Sequence, residues 1–385
     1  MKVNILNLKK IIEKLNLAIE KSTINPKAGW IEMVEESDGK LSIFVGNFDY
    51  FVEASVKCVE NDDNSSLHVT VSSDTFVPLI SKLDDGIAEF KCVRNSLIVE
   101  TSNGEYTFPI IKEAGIVKGV DRISFNDNEA SEYTLSGEDI SSIASINAKG
   151  LIDSLFSREI QQYIYVDQNG ALTFTENIYI NDFNGSNGFA NDFKFLLNGT
   201  QAKLMKIFEK SNSVSVKIIE GDYETPIKVK FSISDDDLSI CLIAITQAKS
   251  VVDKFPSIKL RELSSAVSET HAVIDKKKFE KALQRLMVFD KKFDITVLNY
   301  SKLVFSEDEV KLVSIKNNNY EVVKYISGRN TTKHESIIRF ADLVNQLKAV
   351  QSKEIDISYG DSPAITINSY RLKQLIPEVR ERGNS

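Results

Sequence analysis

Apolar residues return at helical spacing three times along the chain, each time behind a polar residue able to cap a helix. Leu6-Asn7 precedes Ile11, Leu135-Ser136 precedes Ile140, and Ile274-Asp275 precedes Phe279. Asn, Ser and Asp suit the first position of a helix because their side-chain oxygens accept from its unpaired N–H groups. The stretches that follow keep one apolar face: Ile11, Ile12, Leu15 and Ile19; Ile140, Ile143 and Ile146; Phe279, Leu283 and Leu286. A second helix is predicted in each copy, at PLISKL (Leu79, Leu83), KLMKIF (Leu204, Phe208) and DLVNQL (Leu343, Leu347).

Behind each second helix the period changes to two, as in strands: IAEFKCV and LIVETSNGEYTFPI, then VSVKIIEGDYETPIKVKF, then EIDISYGDSPAITI. Asn103-Gly104, Gly221-Asp222 and Gly360-Asp361 read as tight turns. Further strands are expected between the helices, in WIEMVEESDGKLSIFVGNFDYFVEASVKC and QYIYVDQNGALTFTENIYI. The repeating unit is helix, strands, helix, strands, roughly 115 to 140 residues long, an ordinary domain size. Three units, residues 1–127, 128–268 and 269–385, account for the chain, with linkers near Gly115 to Ala130 and Leu263 to Thr270. The order predicts an α+β fold of three similar domains, antiparallel sheets carrying helices on one face.

Composition narrows the class. Among 385 residues, 42% hydrophobic and 26% charged is the balance of a globular protein, and no stretch has the length of a membrane span. The opening MKVNILNLKK lacks a secretory pattern, so a cytoplasmic protein without membrane partners is expected. Cys58, Cys92 and Cys241 stand far apart and read as reduced core thiols. The formal charge of −8 argues against nucleic acid until its distribution is seen. Acid gathers in apparent turns and strand edges (Glu32 to Asp38, Asp62, Asp63, Asp235 to Asp237), whereas Lys gathers on helices. Lys10, Lys14 and Lys21 lie opposite the first apolar stripe; Lys203, Lys206 and Lys210 repeat this in the second unit, and Lys277, Lys281 and Arg285 in the third, with Lys276 and Lys278 beside them. One such face is an ordinary solvated surface. Three in register would offer dispersed cations to a phosphate backbone without reading bases, and no aromatic platform for single strands accompanies them.

Candidate chemistry is sparse. His68, His271 and His334 sit in different units, without Cys or carboxylate at metal-ligand spacing, and are expected at the surface. Neither GxSxG, GxxxxGK[ST] nor HExxH occurs; GSNG at Gly185 to Gly188 has no phosphate-binding helix behind it, and Asp84-Asp85 reads as a turn beside Gly86. No catalytic residue, metal or cofactor is expected, hence no enzyme.

The three-unit pattern and several strings resemble the bacterial β sliding clamp, the processivity subunit of DNA polymerase III. LKKIIEKLNLAIEKSTINPKAGWIEM looks like the family's first helix and following strand, with Pro26 and Gly29 at its turn. TENIYI (Thr175 to Ile180) stands where the family has TDGHRL, VVDKFPSI (Val251 to Ile258) where it has DGKFPDY, and LKQLIPEVR where it has a YLIMPVRL-like tail. KFP and the terminal IP are the most specific matches. The resemblance implies two chains closed head to tail into a six-domain ring, with helices facing double-stranded DNA. It makes Lys10, Lys14, Lys21, Arg158, Lys203, Lys206, Lys210, Lys277, Lys281 and Arg285 DNA-facing. A peptide pocket between the second and third domains, serving the replicative polymerase and clamp loader, would be lined by Ile160, Thr175, Ile178, Tyr179, Pro256, Arg261, Leu375, Ile376 and Pro377. The homodimer interface would set Tyr106 and Phe108 against Val288 and Phe289. Two departures stand out: Asn177-Ile178-Tyr179 replaces Gly-His-Arg, making the pocket more apolar, and Ser22 stands where the family often has a DNA-contacting Arg. The competing reading is a structural or assembly protein of three α+β repeats, phage-derived for example, with no DNA role.

Overall fold

The computed structural model describes residues 1–21, 24–60, 67–150, 159–175, 179–184, 193–265, 268–290, 300–315 and 318–379. Through residue 127 it forms β1 (Lys2–Asn4), α1 (Ile5–Leu15), β2 (Trp30–Glu35), β3 (Lys40–Gly46), β4 (Tyr50–Glu60), β5 (His68–Ser72), α2 (Ser73–Lys82), β6 (Ile87–Val93), β7 (Ser96–Thr101), β8 (Gly104–Pro109), β9 (Lys112–Glu113) and β10 (Ile116–Val117). Next come β11 (Ser131–Leu135), α3 (Gly137–Gly150), β12 (Tyr163–Asp167), β13 (Gly170–Phe174), β14 (Ile180–Asn184), β15 (Lys194–Asn198), α4 (Gly199–Leu204), β16 (Val214–Ile219), β17 (Pro226–Ser234), β18 (Leu238–Ala248), α5 (Lys249–Val252) and α6 (Ser257–Ser265). The last stretch holds β19 (His271–Asp275), α7 (Lys276–Asp290), β20 (Ser301–Phe305), β21 (Glu309–Ser314), β22 (Tyr320–Lys324), β23 (Ser327–Arg329), β24 (His334–Ile338), α8 (Phe340–Leu347), β25 (Glu354–Ser358), β26 (Ala364–Ser369) and β27 (Leu372–Pro377). Every strand pair is antiparallel among the described residues.

Local chemistry sets the helix starts. Ser136 Oγ accepts from Asp139 N and donates to Asp139 Oδ2, and Asp275 Oδ1 accepts from Lys278 N at 2.8 Å, as their spacing predicts. The first helix begins one turn earlier than expected: Asn4, not Asn7, is its cap, accepting from the N–H groups of Leu6 and Asn7. Pairing of β1 with β4 and β6 holds Asn4 extended, the conformation a cap needs. KLMKIF divides: α4 ends at Leu204 and a 3-10 turn, Met205–Phe208, completes it.

Two compact units form. The first combines residues 1–141 with 203–250, and the second 142–202 with 251–385, so the chain passes between them within α3, α4 and α5. In the first unit the sheet runs β11-β16-β17-β18-β4-β1-β6-β7-β8, with β2, β3 and β5 branching from β4. Its seam is the β4–β18 ladder, Val56↔Leu238 through Tyr50↔Ala244, which joins strands from two sequence repeats. Ile5, Leu8, Ile11, Ile12 and Leu15 of α1 are buried, each worth about 1.5–3 kcal/mol relative to exposure. In the second unit one sheet runs β15-β12-β13-β14-β27-β26-β25-β19-β23, with β14–β27 its corresponding seam, and another runs β22-β21-β20-β24. Phe279, Leu283 and Leu286 of α7 and Leu343 and Leu347 of α8 are buried there.

The stretch expected as a loose linker is instead a strap on the first unit's sheet. Val120 joins Phe44, Phe51 and Ile243 in an apolar cluster against which Ile123 and Phe125 pack. Glu32, 3% exposed, is its anchor: it accepts from Val120 N at 3.0 Å and Arg122 Nη2 at 2.9 Å, and bonds His68 Nε2 at 2.9 Å. Arg122 also lies 3.9 Å over the Phe44 ring, Lys228 donates to Ser124 O, and Lys230 pairs with Asp127. The strap thus touches both sides of the β4–β18 seam. Glu32→Gln is expected to lower stability by about 1–3 kcal/mol, since a buried acceptor loses charge toward two donors and Arg122 is half exposed. Thermal denaturation measures the loss, and hydrogen exchange should locate the loosening at residues 118–125.

The side-chain environment corrects other expectations. Glu32 is buried rather than part of an acidic turn. Each histidine meets a carboxylate distant in sequence: His68 with Glu32, His271 with Asp356 and His334 with Glu378. His271 and His334 are partly buried, not surface residues. Cys58 and Cys241 are half-buried thiols that burial pushes up to about 11 and about 12, whereas Cys92 is exposed and not a core residue.

Candidate functional site

In the first unit α1 packs against α2 and the 3-10 turn Met205–Phe208. Lys10, Lys203, Lys206 and Lys210 are exposed, and none forms an ion pair among the described residues. Lys14 is half-buried, and burial, aided by neighbouring Lys210, lowers its pKa against the pull of Asp235. Helix α1 and the turn after Phe208, distant in sequence, therefore bring two of the expected cations within electrostatic reach. Lys21 pairs with Asp74 of α2 at 2.9 Å in full solvent, a contact of little strength.

In the second unit Lys277 and Lys281 are exposed on α7. Arg285 is different: its Nε and Nη2 each donate at 2.7 Å to the carboxylate of Glu321 on β22. That bidentate pair occupies the charge. Arg158 lies outside the described residues.

β8 ends the first unit's sheet and β22 ends the four-stranded sheet of the second. Val288 and Phe289, at the end of α7, are 61% and 50% exposed. Tyr320 and Val322 of β22 add exposed apolar surface that the sequence reading missed. Its signal was present in YEVVK, an alternating strand ending in a charge. Tyr106 is half-buried on β8, but Phe108 is buried edge-on against Phe76 of α2, centroids 5.4 Å apart. Phe108 is a core residue.

The residues expected to line a peptide pocket are gathered around the β13–β14–β27 seam of the second unit, yet on two faces. Phe174↔Ile180 and Ile180↔Leu375 set these residues on one side. Helix α6 packs on β14 and β27, and Phe255 meets Phe174 edge-on at 5.4 Å on that side, with Pro256 following it. Alternation places Pro377 there with Leu375. Thr175 and Tyr179 bond each other and face the other way, where burial and a hydrogen bond to Asp342 of α8 push the Tyr179 hydroxyl pKa up. Ile376 shares that second face with Gln374, whose Nε2 donates to Asn181 Oδ1 at 2.6 Å and Gln346 O at 2.8 Å. Ile160 is half-buried in the 3-10 turn Glu159–Gln162 before β12, and Ile178 lies outside the described residues.

Arg261 projects from α6 into a carboxylate pair. It donates to both oxygens of Asp167 at 2.6 and 2.8 Å, and its Nε lies 3.6 Å from Asp182, whose other oxygen accepts from Ser264 at 2.7 Å. Beside it a cavity of about 770 Å³ opens between Tyr165, Phe193, Lys194, Asp253, Phe255 and Ile258. Its lining is mixed and includes the ion pair of Lys194 with Asp253. Among the described residues, no group of His, Cys, Asp and Glu is placed to hold a metal, and no helix is long and apolar enough to cross a membrane.

Repeated helices on antiparallel sheets make this an α+β protein of the DNA-clamp fold class. More particularly, the fold is that of bacterial DNA polymerase III β subunits. The β subunit from Streptococcus pyogenes superposes with a TM-score of 0.76 at 15% identity, and that from Thermotoga maritima with 0.75 at 15%, each over 99% of both chains. The DNA polymerase sliding clamp from Pseudomonas aeruginosa gives 0.72 at 12%, again over 99% of both. No family model and no curated protein matches the chain by sequence.

Proposed function

We propose that the chain is a processivity factor: a sliding clamp that encircles duplex DNA as a head-to-tail homodimer and tethers a replicative polymerase, without catalysis or cofactor. Full-length likeness to DNA polymerase sliding clamps carries this reading. The exposed lysines of α1, α4 and α7 suit it, because dispersed cations hold a duplex without fixing position along it. The three repeats, 1–127, 128–268 and 269–385, serve as its domains, the middle one lending strands to both compact units. Edges β8 and β22 would meet across the dimer, Val288, Phe289, Tyr320 and Val322 forming an apolar contact under Tyr106. Partner peptides, from polymerase and clamp loader, would lie on the α6 side of the β14–β27 seam against Pro256, Leu375 and Pro377.

Topology tests the reading. Protein loaded on nicked circular duplex should stay bound through a high-salt gel filtration and be lost when the circle is cut once. Equal retention on circle and line would exclude encirclement, and loss from both would favour a structural or assembly protein with no DNA role.

A further inference from the structure

The geometry points to Arg261 as a positioning residue that fixes helix α6, the wall of the peptide groove, through a buried ionic clasp rather than by touching a peptide. This rests on the groove reading above. Helix α6 is nine residues long, too short to persist unaided in water. Leu260 and Ser264 are its buried residues, so a single apolar side chain supplies its burial, while Ile258 and Leu263 stay exposed. Something else must hold it.

The clasp is suited to that. Its guanidinium reaches β12 through a bidentate contact with Asp167 and approaches Asp182 on β14, while Ser264, one turn further along α6, ties the second oxygen of Asp182. Asp167 and Asp182 are 4% and 5% exposed, so neither carboxylate can turn to water for compensation. Two turns of α6 are thereby pinned to two strands, and the pins set where Pro256 and Ile258 stand relative to Leu375 and Pro377. With its side chain only 19% exposed and its bidentate edge turned to Asp167, the guanidinium presents little surface to a peptide backbone.

The test compares Arg261→Lys, Arg261→Met and the neutral triple Arg261→Met/Asp167→Asn/Asp182→Asn in the full chain. Hydrogen exchange at residues 257–265 reads the position of α6, and a fluorescein-labelled extended peptide with Leu and Phe anchors reads the groove. Arg261→Met and the triple should each lose about tenfold of α6 protection and about tenfold of peptide affinity, with Arg261→Lys recovering most of both. The triple removes the stranded carboxylates, so it decides the matter even where Arg261→Met does not fold. Unchanged α6 protection in the triple overturns the clasp. Lost peptide affinity with unchanged protection overturns it equally, because Arg261 would then be a direct contact. Absence of peptide binding by the unsubstituted protein would sink the groove reading alone, since exchange at α6 still judges the clasp.

Discussion

Replacing Val288 and Phe289 together by Asp should convert a dimer of twice 43.2 kDa into a 43.2 kDa monomer at micromolar concentration, as read by light scattering. Both side chains are half or more exposed at the end of α7, beside the free edge of β22. An anchor residue at an interface carries about 2 kcal/mol or more, and loss of two such anchors weakens association by roughly a thousandfold. Two new carboxylates add desolvation and repulsion. Ile116→Asp is the control: Ile116 is more exposed still, on the β9–β10 hairpin, and its loss should leave the mass unchanged. A double variant that remains dimeric would place the interface elsewhere.

Substituting Lys10, Lys203, Lys206, Lys210, Lys277 and Lys281 by Gln should flatten the salt dependence of duplex binding. Each lysine on a phosphate contributes ~0.9 to the slope of log affinity against log salt, so loss of most of these contacts lowers it by about 3–5. Titration of a labelled duplex over a range of salt gives the slope directly. The comparison with Arg285→Gln is the informative one. Its guanidinium is bound at both forks by Glu321, so it should change the slope little. An Arg285 effect as large as that of a free lysine would mean that DNA wins it from Glu321. An unchanged slope in the six-lysine variant would remove DNA from the reading.

What the sequence made legible was what local chemistry decides. Ser136 and Asp275 start helices because a cap acts within three residues, and Ile140, Leu283 and Leu347 are buried because helical period fixes their face. What it concealed depends on partners far along the chain. Glu321 lies 36 residues from Arg285, and Asp167 lies 94 from Arg261, so no spacing rule announces either pair. The strap was hidden by composition: Gly, Asn and Asp around Val120, Ile123 and Phe125 looked like a linker, although three apolar residues there need cover. The pocket residues carried a usable clue. Leu375 and Ile376 are neighbours in a strand, and neighbours in a strand cannot line the same face.

The three crossings between the compact units, in α3, α4 and α5, bear on how the molecule fails. A protease that cuts once leaves the two halves covalently tethered by the remaining passages, and only a third cut frees them. Damage of that kind therefore stays silent in molecular mass until it has accumulated, while the ladders across β4–β18 and β14–β27 keep the nicked pieces in register.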